Sequence, residues 1–169
     1  MILAHPKIEE SIGNKVISEI VAKESNIIVR DLHQLYPNFK IDVKAEQEAL
    51  MEVETIVFQY PLYWYSTPAI LKEWIDQVFQ YGFAFGHDSI LNNKKIIASI
   101  TIGSPEAQYP KEVREKILFP IKGLTNYCGL DFKGEVFSFN INNYTPEAGE
   151  KAIESAKQHV TKLLTMINE

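Results

Sequence analysis

Apolar positions along the chain follow two periods that alternate. Met1 to Ala4 is a very short apolar run. Behind Ser11, a residue type that caps helices, Ile12, Val16, Ile17, Ile20 and Val21 recur at helical spacing, so residues 12 to 24 predict an amphipathic helix. Asn26 to Leu32 is rich in β-branched residues and predicts a strand. Polar and acidic residues 42 to 52 predict a short helix, and Glu54 to Tyr60 (ETIVFQY) a buried strand. Thr67-Pro68 predicts a helix start, with Thr67 as cap, Pro68 at the first helical position and a stop before Gly82. Lys94 to Ile102 (KKIIASITI) predicts a second buried strand, 111 to 127 a helix and 133 to 141 a strand. Thr145 and Pro146 then open a closing helix that runs to about Ile167.

The order is βαβαβαβαβα. Right-handed crossovers fold that order into one parallel sheet with helices on both faces, an α/β three-layer sandwich. A five-stranded sheet of this kind takes the order 2-1-3-4-5, whose switch point lies between strands 1 and 3. Ligands sit at the carboxyl ends of the strands around that point, which directs attention to His5 to Asn14, Pro61 to Ser66 and Ile102 to Tyr109.

Composition narrows the picture. At 169 residues the chain predicts one domain, large enough to be stable without a disulfide or a metal. Its single cysteine, Cys128, and four scattered histidines offer no zinc-type spacing, so no metal site is expected. The formal net charge of −5 argues against a nucleic-acid surface. No apolar run is long enough to span a membrane, and the N-terminus does not read as a signal peptide, so a soluble, cytoplasmic protein is expected.

The first loop, HPKIEESIGN, ends at a helix N-terminus, where free amides and the helix dipole favour an anion. Ser11 and the small Gly13 would let a phosphate approach the backbone, and His5 could add a donor; an ordinary serine cap and a structural histidine account for the same residues. No G-x-G-x-x-G or Walker loop is present. The second loop, PLYWYST, sets Tyr63, Trp64 and Tyr65 between Pro61 and Pro68. Rings of that size cover a flat ligand or pack as satellite core, and amides without partners there could meet a heterocycle edge. The helix behind it carries Ile70, Leu71, Trp74, Ile75, Val78 and Phe79 as a core or interface stripe, while YGFAFG suits a cleft or a dimer contact. In the third loop, TIGSPEAQY, Gly103, Ser104 and Pro105 form a turn, and Tyr109 offers a phenol.

The segments AHP, FQYPLYWYSTPAILKEWID with GFAFG behind it, TIG with a following tyrosine, and ILFPIKGLTNYCGL resemble the flavodoxin-like NAD(P)H:quinone oxidoreductases from Leu3 to about Phe139. The likeness is nearest to short bacterial members, which include ancillary oxidoreductases of glutathione-gated potassium efflux systems. It implies a flavodoxin-like fold, a homodimer with one flavin per subunit, and FMN rather than FAD. It further implies ping-pong two-electron chemistry, with hydride passing from NAD(P)H to the flavin and two electrons then to a quinone or similar small electrophile. Carried onto this chain, His5 and Ser11, Ile12, Gly13 and Asn14 would hold the phosphate and ribityl chain. Pro61, Leu62, Tyr63, Trp64 and Tyr65 would lie along the ring, with the amides of Trp64 and Tyr65 toward N5 and O4. Thr101, Ile102, Gly103 and Ser104 would meet its pyrimidine end, and Tyr109 would sit in the pocket shared by nicotinamide and quinone as the catalytic hydrogen-bond donor.

Three positions depart from the family pattern. Relatives read T-T-G-G where this chain has Thr101-Ile102-Gly103-Ser104, and Glu115 stands where larger animal relatives carry a histidine, so no proton-relay role transfers. The first strand is also shorter than in relatives. Two other function classes remain open: a regulatory flavoprotein partner of a membrane potassium efflux protein, and a one-electron carrier of the flavodoxin type. Neither NADH nor NADPH is singled out by the residues.

Overall fold

The computed structural model describes residues 1–169. Five strands, β1 (Ile2–Leu3), β2 (Arg30–Asp31), β3 (Thr55–Pro61), β4 (Lys95–Thr101) and β5 (Asp131–Ser138), form one sheet in the order β2-β1-β3-β4-β5. Every pairing is parallel, as the alternating pattern predicts. The helices are α1 (Ile12–Val21), α2 (Leu32–Leu35), α3 (Val43–Met51), α4 (Ala69–Val78), α5 (Lys111–Tyr127) and α6 (Pro146–Asn168). No helix is long and apolar enough to cross a membrane.

Alternation along the strands sorts side chains between two layers. Ile56, Phe58, Ile96, Ala98 and Ile100 pack in the larger core with Leu71 and Trp74 of α4 and Ile117 and Ile121 of α5. Val57, Ile97 and Val136 point the other way, into a smaller core with Ile17 and Val21 of α1 and Ala156, Val160 and Leu163 of α6. Gln59 and Ser99 follow Val57 and Ile97 by two residues and so occupy that same face, near its carboxyl end.

Four elements differ in extent from those predicted. The stretch 26 to 32 contributes only Arg30–Asp31 to the sheet, because β1 is two residues long and pairs Ile2 with Arg30 and Leu3 with Asp31. The Asp31 carboxylate then caps α2, accepting from the amides of His33 and Gln34. Helix α1 ends at Val21. Pro68, at φ −57° and ψ 148°, is itself the N-cap of α4, which has no side-chain cap bond from Thr67 and ends at Val78. Strand β5 is Asp131–Ser138 rather than 133 to 141: pairing of Asp131 with Lys95 sets its start, and residues 139 to 141 leave the sheet. The YGFAFG segment also divides, with Phe83 and Ala84 buried in the larger core and Tyr81 exposed.

Candidate functional site at the carboxyl edge of the sheet

Parallel strands deliver their outgoing loops to one edge, and the loops after β1, β3, β4 and β5 enclose a cleft of about 470 Å³ there. That volume lies within the usual range for small-molecule pockets. Ten of the predicted residues line it: His5, Ser11, Ile12 and Asn14 from the first loop, Pro61, Leu62 and Tyr63 from the second, and Thr101, Gly103 and Ser104 from the third.

The first loop is tied at both ends. Ala4 donates its amide to the carbonyl of Gln59 at 3.0 Å, holding the end of β1 against β3. The amide of Lys7 donates to Nδ1 of His5 at 3.1 Å, so a neutral His5 ring carries its hydrogen on Nε2. Burial, reinforced by nearby His33, holds its pKa below the ordinary histidine value. Ser11 caps α1, its Oγ accepting from the amide of Asn14 at 3.2 Å. The amides of Ile12 and Gly13, in the first turn of α1, donate to no group of the protein. Gly13 is buried, and a Cβ there would meet Cγ2 of Ile141 at 2.4 Å. The missing side chain therefore makes room for the loop after β5, a use that its position in the first loop did not reveal.

The second loop is a tight hairpin. Tyr63 and Ser66 exchange backbone hydrogen bonds at 3.0 and 2.9 Å, and the two residues between them are both left-handed, Trp64 at φ 48° and Tyr65 at φ 62°. This is a type I′ turn built from Trp-Tyr instead of Asn-Gly, at a cost of roughly 1–3 kcal/mol for each left-handed non-glycine residue. The amides of Trp64 and Tyr65 find no acceptor in the protein. The Trp64 ring is 95% exposed and the Tyr65 ring lies 6.2 Å from Tyr109, so both side chains stand outside the cleft lining.

In the third loop, Oγ1 of Thr101 accepts from Nδ2 of Asn14 at 2.8 Å, and the amides of Gly103 and Ser104 are free. Ile102 does not reach the cleft. Its side chain lies in the larger core, its amide donates to the Ser138 carbonyl at 2.8 Å, and its carbonyl accepts from Ile141. Tyr109 is likewise outside the lining: its ring packs 5.7 Å from Phe139, and its carbonyl accepts from Arg114 Nε at 2.6 Å.

A fourth loop completes the wall and was not anticipated. Ile141, Asn142 and Asn143 line the cleft, Ile141 donating its amide to Ile102 and Asn142 its side-chain amide to the Gly103 carbonyl at 3.1 Å. The signal was available: the fifth parallel strand must end at the same edge, and NINN is a polar loop close behind it.

Beneath the cleft, Gln59 and Asn14 join Ser99, Ser138 and His159 in a buried polar network. His159 is 1% exposed, and burial with help from Lys162 brings its pKa down to about 3, so its ring is neutral.

Comparison with known proteins adds four findings. A family model described as the flavodoxin-like fold matches residues 1–164. Among curated relatives, an NAD(P)H oxidoreductase of Bacillus subtilis (strain 168) is 38% identical over 138 residues, 78% of this chain and 79% of that one. An ancillary protein of the glutathione-regulated potassium-efflux system of Enterobacter sp. (strain 638) is 40% identical over 136 residues, 78% of this chain and 77% of that one. Among solved structures, general stress protein 14 of Treponema denticola in complex with FMN superposes with a TM-score of 0.87 at 31% identity, covering 98% of this chain and 97% of that one.

Proposed function

The chain belongs to the family with the flavodoxin-like fold, and from that premise we propose that it is an FMN-dependent NAD(P)H oxidoreductase of the quinone-reductase type. The observation that carries the reading is the set of unpartnered amides in the three loops at this edge of the sheet: Ile12 and Gly13 at the α1 N-terminus, Trp64 and Tyr65 in a strained turn, and Gly103 and Ser104 behind β4. A ligand with a phosphate at one end and a polar-edged ring at the other fits that donor set. The cleft's hydroxyls and its helix N-terminus suit the phosphate. The FMN complex of the Treponema relative supports the same ligand.

On this reading His5, Ser11, Ile12, Gly13 and Asn14 hold the phosphate and ribityl chain. Pro61, Leu62 and Tyr63 flank the ring, and the amides of Trp64 and Tyr65 donate to its polar edge. Thr101, Gly103 and Ser104 serve the opposite end, while Ile102 contributes only by fixing the strand end. FMN, when bound, supplies the two-electron redox chemistry that no side chain here can provide. The protein's part is to orient it and to offer donors where negative charge develops. Tyr109, packed against Tyr65, donates a hydrogen bond in the pocket that NAD(P)H and a quinone-like small molecule occupy in turn. Exposed Tyr81, Phe119 and Tyr127 provide the aromatic surface for a homodimer. Steady-state kinetics with NAD(P)H and a quinone test the scheme: ping-pong turnover gives parallel double-reciprocal lines, and intersecting lines would refute it.

A second reading rests on the potassium-efflux relative: the protein binds and activates a membrane efflux protein. Co-purification with such a transporter, and K⁺ efflux that rises when this protein is added, would support that role. A one-electron carrier is separated from both by anaerobic titration, in which the carrier alone would show no oxidation of NAD(P)H.

A further inference from the structure

A run of hydrogen bonds leads from the cleft along the face of the sheet that α1 and α6 cover, as far as β5. Oγ1 of Thr101 accepts from Nδ2 of Asn14 at 2.8 Å, Oδ1 of Asn14 from Nε2 of Gln59 at 2.8 Å, and Oε1 of Gln59 from the hydroxyl of Ser99 at 2.5 Å. Oγ of Ser99 lies 2.6 Å from Nε2 of His159, whose Nδ1 lies 2.7 Å from Oγ of Ser138. Asn14, Gln59, Ser99, Thr101, Ser138 and His159 are each no more than 5% exposed.

The hydrogens in this run are countable. Ser99 has one, and it goes to Gln59, so toward His159 the serine must accept. Nε2 of His159 therefore carries the ring hydrogen, and bare Nδ1 accepts from Ser138. Each link then points toward the cleft, where Nδ2 of Asn14 turns its hydrogens to Thr101 and, at 3.3 Å, to Ser11. Both hydroxyls receive from Asn14 and keep their own hydrogens for the cleft. The reversed run, with the hydrogen on Nδ1, requires the Gln59 and Asn14 carboxamides both to be turned over, nitrogen for oxygen. It would turn the Thr101 and Ser11 hydrogens onto Asn14 and leave the cleft facing their lone pairs. Two carboxamides interrupt the run, so it does not conduct protons; what it transmits is donor polarity.

We infer that His159 is a positioning residue for the cofactor cleft: through Ser99, Gln59 and Asn14, its Nε2–H tautomer sets the Thr101 and Ser11 hydroxyls as donors toward an acceptor-rich ligand, FMN on the reading above, on which this rests. The neutral ring that burial enforces is what allows a tautomer to carry this information.

Long-range ¹H–¹⁵N spectra of the FMN-loaded wild-type protein, labelled at histidine, read the tautomer directly at neutral pH. Hydrogen on Nε2 is expected for His159; hydrogen on Nδ1, or an exchanging mixture of the two, overturns the inference. His159→Leu and Ser99→Ala should each weaken FMN binding about tenfold in the folded protein, with His159→Gln restoring part of the loss. A histidine that merely fills the core would lower the melting temperature and leave FMN affinity of the folded variants within about twofold, which would also overturn it. A wild-type protein that takes up no FMN refutes the functional reading itself, whereas FMN uptake with the wrong tautomer refutes only this inference.

Discussion

Replacing Glu46 removes the most heavily used carboxylate in the molecule. It is fully buried, accepts from Arg30 Nε at 3.0 and 2.9 Å, from Arg30 Nη2 at 2.5 Å and from Trp74 Nε1 at 2.9 Å, and also takes the Tyr36 hydroxyl. Burial and the Glu46 charge push the Tyr36 phenol up to about 12, so it stays a donor across the working range. The cluster ties β2 and α2 to α3 and α4. Glu46→Leu strands a cation and two further donors, a loss worth roughly 3–5 kcal/mol when a buried pair is broken. The Arg30 side chain is 22% exposed and recovers some hydration, which favours the lower end, about 3 kcal/mol. For a domain of this size that corresponds to a melting shift on the order of 10 °C, a large share of a total stability of about 5–15 kcal/mol. Urea unfolding followed by circular dichroism should show the midpoint fall with little change in slope. Adding Arg30→Met removes the stranded cation and should recover about 1–2 kcal/mol, while FMN affinity well below the melting temperature stays unchanged. A loss under about 1 kcal/mol for Glu46→Leu, or a double variant weaker than the single one, would refute the reasoning.

Gly13→Ala puts a Cβ 2.4 Å from Cγ2 of Ile141, and Ile141 must move. Overpacking of about 1–3 kcal/mol outweighs the roughly 1 kcal/mol that alanine gains over glycine in a helix, so thermal melting should drop by a few degrees and FMN binding weaken as the fourth loop shifts. A raised melting temperature with unchanged FMN affinity would contradict this. Tyr109→Phe should lower quinone turnover while leaving FMN bound, and unchanged turnover removes its assigned role. The folded pKa of His159, about 3, lies below its ordinary 6.5, so the unfolded chain binds the extra proton between those values. Stability is thus complete above about pH 6.5 and is lost as pH falls toward 3, with a slope of up to about 1.4 kcal/mol per pH unit from this group. His5 and His33 are shifted in the same direction, so the test is the difference between wild type and His159→Leu in urea midpoints from pH 7 to 4; equal acid sensitivity would contradict the assignment.

The layer order and switch point were legible because β3 and β4 are continuous apolar runs and α1, α4 and α6 carry clear apolar stripes. Ten of the cleft's residues followed from that topology and the family likeness together. What sequence did not reveal depended on long-range partners. The shape of the Tyr63 to Ser66 turn could not be read from Trp-Tyr, a pair with no preference for left-handed backbone. Ile102 looked like part of a binding loop, yet as the apolar residue directly behind β4 it is drawn into the core. Glu46 and His159 sit on polar-looking helical stretches, and only the fold brings Arg30 to one and two serines to the other.

The central claim is that this cleft binds FMN for two-electron exchange with NAD(P)H. Titration of the purified protein with FMN, followed by absorption spectroscopy and then by anaerobic addition of NAD(P)H, tests it most directly. The account predicts saturation at one FMN per chain and a flavin band that bleaches on reduction. A protein that stays colourless at excess FMN, or a bound flavin that NAD(P)H cannot reduce, would contradict it.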